Sequence, residues 1–87
     1  MVEKKTIIKN DTGIHARPAS LIVQKANGFE SDITLGKDGQ EVNAKSIMGI
    51  MSLGVSKSTE ITIKAEGADE AAAVDAIVEL IENGFGE

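Results

Sequence analysis

Apolar and polar residues alternate along this chain with a period that switches repeatedly, and each switch marks the edge of an element. Residues 2–9 carry Val2, Ile7 and Ile8 among lysines and a threonine, a sparse strand pattern ended by the turn formers Asn10, Asp11 and Gly13. From Ala16 to Asn27, the residues Ala19, Ile22, Val23 and Ala26 recur at the spacing of one helix face. Pro18 suits a first turn, where its missing N–H costs little, and Gly28 supplies a stop. Ile33 and Leu35 alternate with Asp32 and Thr34, and Asp38-Gly39 turns the chain into a second arm containing Val42, which predicts a hairpin. Residues 47–53 are a short apolar stretch between Ser46, a good N-cap, and Gly54, a good stop, so a two-turn helix is predicted. Residues 60–66 place Ile61, Ile63 and Ala65 on one face of a strand and Thr62 and Lys64 on the other. Asp69 then reads as the cap of a helix over residues 70–83, with Ala73, Val74, Ile77, Val78 and Ile81 on its buried side and Gly84 closing it.

The predicted order is βαββαβα. Because the last strand alternates cleanly, one sheet face should be wet, and the expected fold class is α+β: an open-faced β-sandwich with a four-stranded, largely antiparallel sheet and three helices on one face. With one proline, no repeats and no low-complexity stretch, residues 1–87 are expected to form a single domain.

Composition narrows what such a domain can do. Eighty-seven residues build one modest core but no deep enclosed cavity, so any chemistry must happen near the surface. No apolar run is long enough to span a bilayer, and the first residues lack the apolar core and cleavage site of a signal peptide, so a cytoplasmic protein without membrane insertion is expected. There is no cysteine and a single histidine, which argues against a zinc site; no metal and no cofactor are expected. A net charge of −5 opposes nucleic-acid binding. That charge is uneven: residues 1–27 net +3, residues 28–66 net −2, and residues 67–87 net −6.

The lone histidine sits in the least acidic third, in Thr12-Gly13-Ile14-His15-Ala16-Arg17-Pro18-Ala19, where a glycine-containing loop runs into a helix. A helix start carries backbone N–H groups without intrahelical partners and a partial positive charge, which suit an anion such as phosphate. Arg17 adds a forked, permanently charged donor. With a reference pKa of about 6.5, a histidine side chain is largely neutral and nucleophilic near neutral pH, able to accept a phosphoryl group and release it. A His and an Arg near a helix start are common, however, and the pair alone does not single out this role.

Two longer motifs add to it. Gly13-Ile14-His15-Ala16-Arg17-Pro18-Ala19 and Lys45-Ser46-Ile47-Met48-Gly49-Ile50-Met51-Ser52-Leu53-Gly54 resemble HPr, the histidine-containing phosphocarrier family of the bacterial sugar phosphotransferase system. Chain length, element order and the closing acidic helix agree with it, so the resemblance covers essentially the whole chain and includes every functional position. It implies that His15 receives phosphate from enzyme I, itself charged by phosphoenolpyruvate, and donates it to the IIA domains of sugar permeases. It further implies that the acceptor is Nδ1 of His15 and that Arg17 steadies the phosphoryl group. A homologous regulatory branch lacks the histidine; this chain keeps it.

Ser46 reads on its own as an ordinary N-cap accepting the N–H of Met48 or Gly49. A phosphate there would sit at a helix start beside Lys45 and alter a docking surface without unfolding the helix. The chain resembles the Gram-positive branch of the family, which implies phosphorylation of Ser46 by a dedicated HPr kinase/phosphorylase and action as corepressor of the catabolite control protein. Ile47, Met48, Ile50, Met51 and Leu53 cover more than one face of so short a helix, so either all are core or part of the helix is an interface; Ile47, Met48 and Met51 are expected as partner contacts, with Ser20 and Leu21 flanking His15. Such an interface should be modest and transient, and the carrier a monomer. Three classes are thus in view: a phosphoryl carrier that is not an enzyme, an adaptor acting through Ser46, and a hydrolase using His15 as base. For the last there is no cysteine, no nucleophile elbow and no second histidine.

Overall fold

The computed structural model describes residues 1–86. The elements run β1 (Val2–Ile7), α1 (Ala16–Ala26), β2 (Asp32–Lys37), β3 (Gln40–Asn43), α2 (Ile47–Ser52), β4 (Glu60–Glu66) and α3 (Glu70–Glu82), followed by a short 3₁₀ turn, Gly84–Gly86. The sheet has the order β1-β4-β2-β3, and every neighbouring pair is antiparallel rather than largely so. The fold class and element order are those predicted. Asp38 and Gly39 make the two-residue hairpin turn, both with positive φ (51° and 83°), the conformation that matches the twist of the paired strands.

Helices cover one face of this sheet. Ile33 and Leu35 of β2 and Ile61, Ile63 and Ala65 of β4 are buried beneath Ala19, Ile22 and Ala26 of α1, Ile50 of α2, and Ala73, Val74, Ile77 and Ile81 of α3. Isoleucine dominates this core and Phe85, buried in the 3₁₀ turn, is its one fully committed aromatic; each such side chain removes about 1.5–3 kcal/mol worth of apolar surface from water. The other sheet face is wet, as the alternation in β4 requires. Lys64 reaches Glu41 and Glu3 across it, and its ammonium is raised above the ordinary value chiefly by the hydrogen bond to Glu41.

Three local readings change. The first strand ends at Ile7 instead of residue 9, and its helix-facing positions are Val2, Lys4 and Thr6, which pair with Ala65, Ile63 and Ile61. Ile7 lies 48% exposed, while Ile8, just past the strand, is fully buried and tied to the segment before β4 through Thr59 and Ser58. Lys4 compensates for its inward position on this edge strand by pairing with Asp75 of α3, a placement that discourages pairing with another chain. Asp69 stands at the N-cap of α3 but makes no capping bond; its carboxylate accepts instead from the Glu30 and Ser31 N–H groups (2.9 and 3.0 Å) and the Ser31 hydroxyl. Those bonds, the Ser31 hydroxyl first, hold its pKa below the ordinary carboxylate range. Finally, α1 ends at Ala26 with Asn27 as C-cap, one residue earlier than expected, and Gly28 follows directly after the cap.

Candidate functional site

His15 is the N-cap of α1, in extended conformation (φ −101°, ψ −161°), with an exposed side chain that does not cap the helix. Its carbonyl accepts the Ala19 N–H at 3.0 Å, the first bond of the helix. Ala16 and Arg17 occupy the next two positions, both exposed, and Pro18 the third, buried. A residue at that third position has an N–H that the helix never uses, so proline there costs nothing and fixes φ for the helix. The first turn of α1 carries no acidic residue. A helix start of this kind favours an anion in front of it, and Arg17 supplies the adjacent charge.

The loop that delivers His15 is fixed from two sides. The Gly13 N–H bonds to the Asn10 carbonyl at 3.2 Å, closing a turn, and Ile14, buried, donates its N–H to the Val55 carbonyl at 3.1 Å. Gly13 has φ +66°, and a Cβ there would lie 2.4 Å from the Val55 oxygen and 2.8 Å from the Ser56 Cα. Only glycine therefore lets the His15 loop seat on the segment between α2 and β4. A surface ion pair between Asp11 and Lys57 at 2.7 Å joins the same two loops, and the bond to Lys57 holds the Asp11 pKa below its ordinary value.

Ser46 caps α2 as expected: its hydroxyl accepts the Gly49 N–H at 3.1 Å, and its carbonyl the Ile50 N–H at 3.0 Å. Lys45 is occupied elsewhere than the sequence suggested, donating its ammonium to the Phe29 carbonyl at 3.0 Å and so anchoring the loop after α1. At the other end of α2, the Lys37 ammonium donates to the Leu53 and Gly54 carbonyls at 3.1 and 3.0 Å. The five apolar residues of this region divide cleanly. Ile50 and Leu53 are buried, whereas Ile47, Met48 and Met51 are 41%, 83% and 44% exposed. Ser20 and Leu21 are half-buried on α1, and α1 packs against α2. Two residues that support the site went unread in the sequence beyond their turn propensity or their place at a loop: Asn10 and Val55. Among the described residues no group of three His, Asp or Glu side chains could hold a metal ion, and no helix is long and apolar enough to cross a membrane.

The architecture is a small open-faced sandwich with an exposed histidine at a helix start. The family described as "PTS HPr component phosphorylation site" matches residues 2–83. The chain is 51% identical over 82 residues to the HPr-like protein Crh of Bacillus subtilis, covering 94% of this chain and 96% of that protein. Among solved structures it is similar to HPr-C-His from Thermoanaerobacter tengcongensis, with 57% identity, a TM-score of 0.96 and coverage of 100% of this chain and 98% of the other. It also resembles crystalline Crh of Bacillus subtilis, described as an intertwined swapped dimer, with 50% identity, a TM-score of 0.78 and 97% coverage of both. The chain belongs to the HPr family, the phosphocarriers of the phosphotransferase system. A monomer does not follow from these relatives, since an HPr of Thermoanaerobacter tengcongensis has also been solved as a dimer (57% identity, TM-score 0.80, full coverage of both chains).

Proposed function

We propose that this chain is a cytoplasmic phosphoryl carrier, not itself an enzyme, that accepts a phosphoryl group on His15 from phospho-enzyme I and donates it to sugar-specific IIA domains. The observation that carries the reading is the exposed His15 side chain at the start of α1, with Arg17 two residues on and no acidic residue in the first turn. In this reading the Nδ1 lone pair of His15 attacks phosphorus in line as the bond to the donor breaks, and the reverse exchange delivers the group to the next protein. Arg17 and the helix start stabilise the phosphoryl oxygens, whose charge is what the site must meet. Ile47, Met48 and Met51, with Ser20 and Leu21, form the docking surface, and the working species is a monomer because that surface must face each partner in turn.

Incubation with enzyme I and labelled phosphoenolpyruvate should give an acid-labile, alkali-stable label that His15→Ala abolishes. No label on the unaltered chain would overturn the carrier reading. A second role is favoured by the kinship with Crh, described as a catabolite repression protein, and by the exposed apolar face beside Ser46. Ser46 is then a phosphorylation site for an HPr kinase/phosphorylase, and the modified chain a partner of the catabolite control protein. Acid-stable label from ATP and that kinase, lost in Ser46→Ala, is the expected result; its absence would remove the regulatory role.

A further inference from the structure

Asn10 is 8% exposed, and its side chain is turned into the loop that carries His15. Its Nδ2 donates to the Gly13 carbonyl at 2.7 Å and lies 3.3 Å from the Thr12 hydroxyl. A carbonyl oxygen only accepts, so the amide nitrogen of Asn10 must be the end that faces Gly13. The Gly13–Ile14 peptide unit is thereby held on both edges, its C=O by Asn10 and its N–H by the Val55 carbonyl at 3.1 Å. That unit lies immediately before the one joining Ile14 to His15. Glycine permits a wider range of φ and ψ than any other residue, so rotation about Gly13 is a backbone motion that would swing the His15 side chain and tilt the first N–H groups of α1. The main chain of Asn10 adds the turn-closing bond from Gly13 N–H at 3.2 Å, so one residue fixes the loop through both its backbone and its side chain.

We infer that Asn10 is a positioning residue for phosphoryl transfer, setting the aim of His15 and of the first-turn donors of α1 by clamping the Gly13 carbonyl. The inference deepens the carrier reading and rests on it. It asks Asn10 to touch neither the phosphoryl group nor a partner.

Because this chain is the substrate of enzyme I, kinetics separate positioning from stability. A variant that is merely less folded lowers the concentration of competent substrate, raising the apparent KM and leaving kcat alone; one whose His15 is misaimed lowers kcat at unchanged KM. Asn10→Ala and the isosteric Asn10→Asp, which loses the donor, are expected to lower kcat for phosphorylation by enzyme I by about tenfold or more, the scale on which sub-ångström misplacement acts. Amide exchange at Ile14 should quicken in both variants while exchange in β4 keeps its unaltered rate. The unaltered chain and His15→Ala are run beside them. If the unaltered chain takes no label, the carrier reading and this inference fail together. If it is labelled and either variant keeps its kcat, or if the loss lies wholly in KM, the positioning role alone is overturned. Loss of the fold in both variants would make Asn10 a residue of the fold and overturn that role as well.

Discussion

At Gly13 one methyl group separates a seated loop from a displaced one. Gly13→Ala places a Cβ 2.4 Å from the Val55 oxygen at a φ of +66°, so the loop must move or unfold locally. Strain of this kind costs about 1–3 kcal/mol, expected as a lowered midpoint of unfolding. The chain has no tryptophan and no tyrosine, so far-UV circular dichroism is the measurement of choice. Arg17 makes a different case. It is exposed, so Arg17→Ala should change the free energy of unfolding by no more than about 0.5 kcal/mol, as surface changes do. If Arg17 steadies the transferring group, the same variant should slow phosphorylation by enzyme I by about a hundredfold, the usual loss for one removed donor to a developing charge. A normal rate would exclude it from the transfer step.

Among the elements, α2 depends most visibly on its ends. Ser46→Ala removes the acceptor for the Gly49 N–H and should cost about 1 kcal/mol of stability, whereas Ser46→Asp keeps a capping oxygen and should remain within about 0.5 kcal/mol of the unaltered chain. Chemical denaturation of the two variants side by side checks this, and a larger loss in the aspartate would contradict it. Elements were legible in the sequence where a local pattern decides them: the 3.6 spacing of α1 and α3, the Asp38-Gly39 turn, the alternation of β4 and the cap at Ser46. β1 was read two residues too long because Ile8, buried just past its end, reads as a further strand position, while the helix-facing Lys4 and Thr6 meet Asp75 and Glu82 of α3. Asp69 looked like a cap by position, yet its partners, Glu30 and Ser31, lie 39 and 38 residues away, a distance no local pattern reports. The site followed the same division. His15, Arg17 and Ser46 stand in runs that a motif can carry, while the clamp on Gly13 depends on Asn10 acting through its side chain and on Val55 from a separate loop.

Over the whole molecule, three of the carboxylates that tie segments together are set apart by their acidity. Asp11 joins the His15 loop to the one after α2, Asp69 holds the loop after α1, and Glu70 meets the amino group of Met1 and the Gly67 N–H. All three have pKa values below the ordinary 3.8 or 4.5. A depressed carboxylate binds fewer protons in the folded chain than in the unfolded one, so its stabilisation is fully present above the ordinary value and disappears as pH falls through the folded value. Stability should therefore hold level from neutrality to about pH 5 and decline below about pH 4. Asp69→Asn should flatten that decline, since it removes a group whose proton binding changes on folding. Thermal midpoints between pH 2.5 and 7 test both statements; equal acid slopes in the two proteins would contradict the second.

The two clamps on α2, Ser46 at one end and Lys37 at the other, bear on how quickly this chain could exchange one partner for the next. Six residues are too few to hold a helix in water by themselves, and the bonds to Gly49, Leu53 and Gly54 supply what length does not. In the proposed docking mode, a protein landing on Ile47, Met48 and Met51 meets backbone that was ordered when the chain folded, so encounter requires no local refolding and only a few side-chain rotamers must settle. Methionine settles at small enthalpic cost against differently shaped surfaces. The expected kinetics are fast arrival and short residence, which suit the carrier role proposed above.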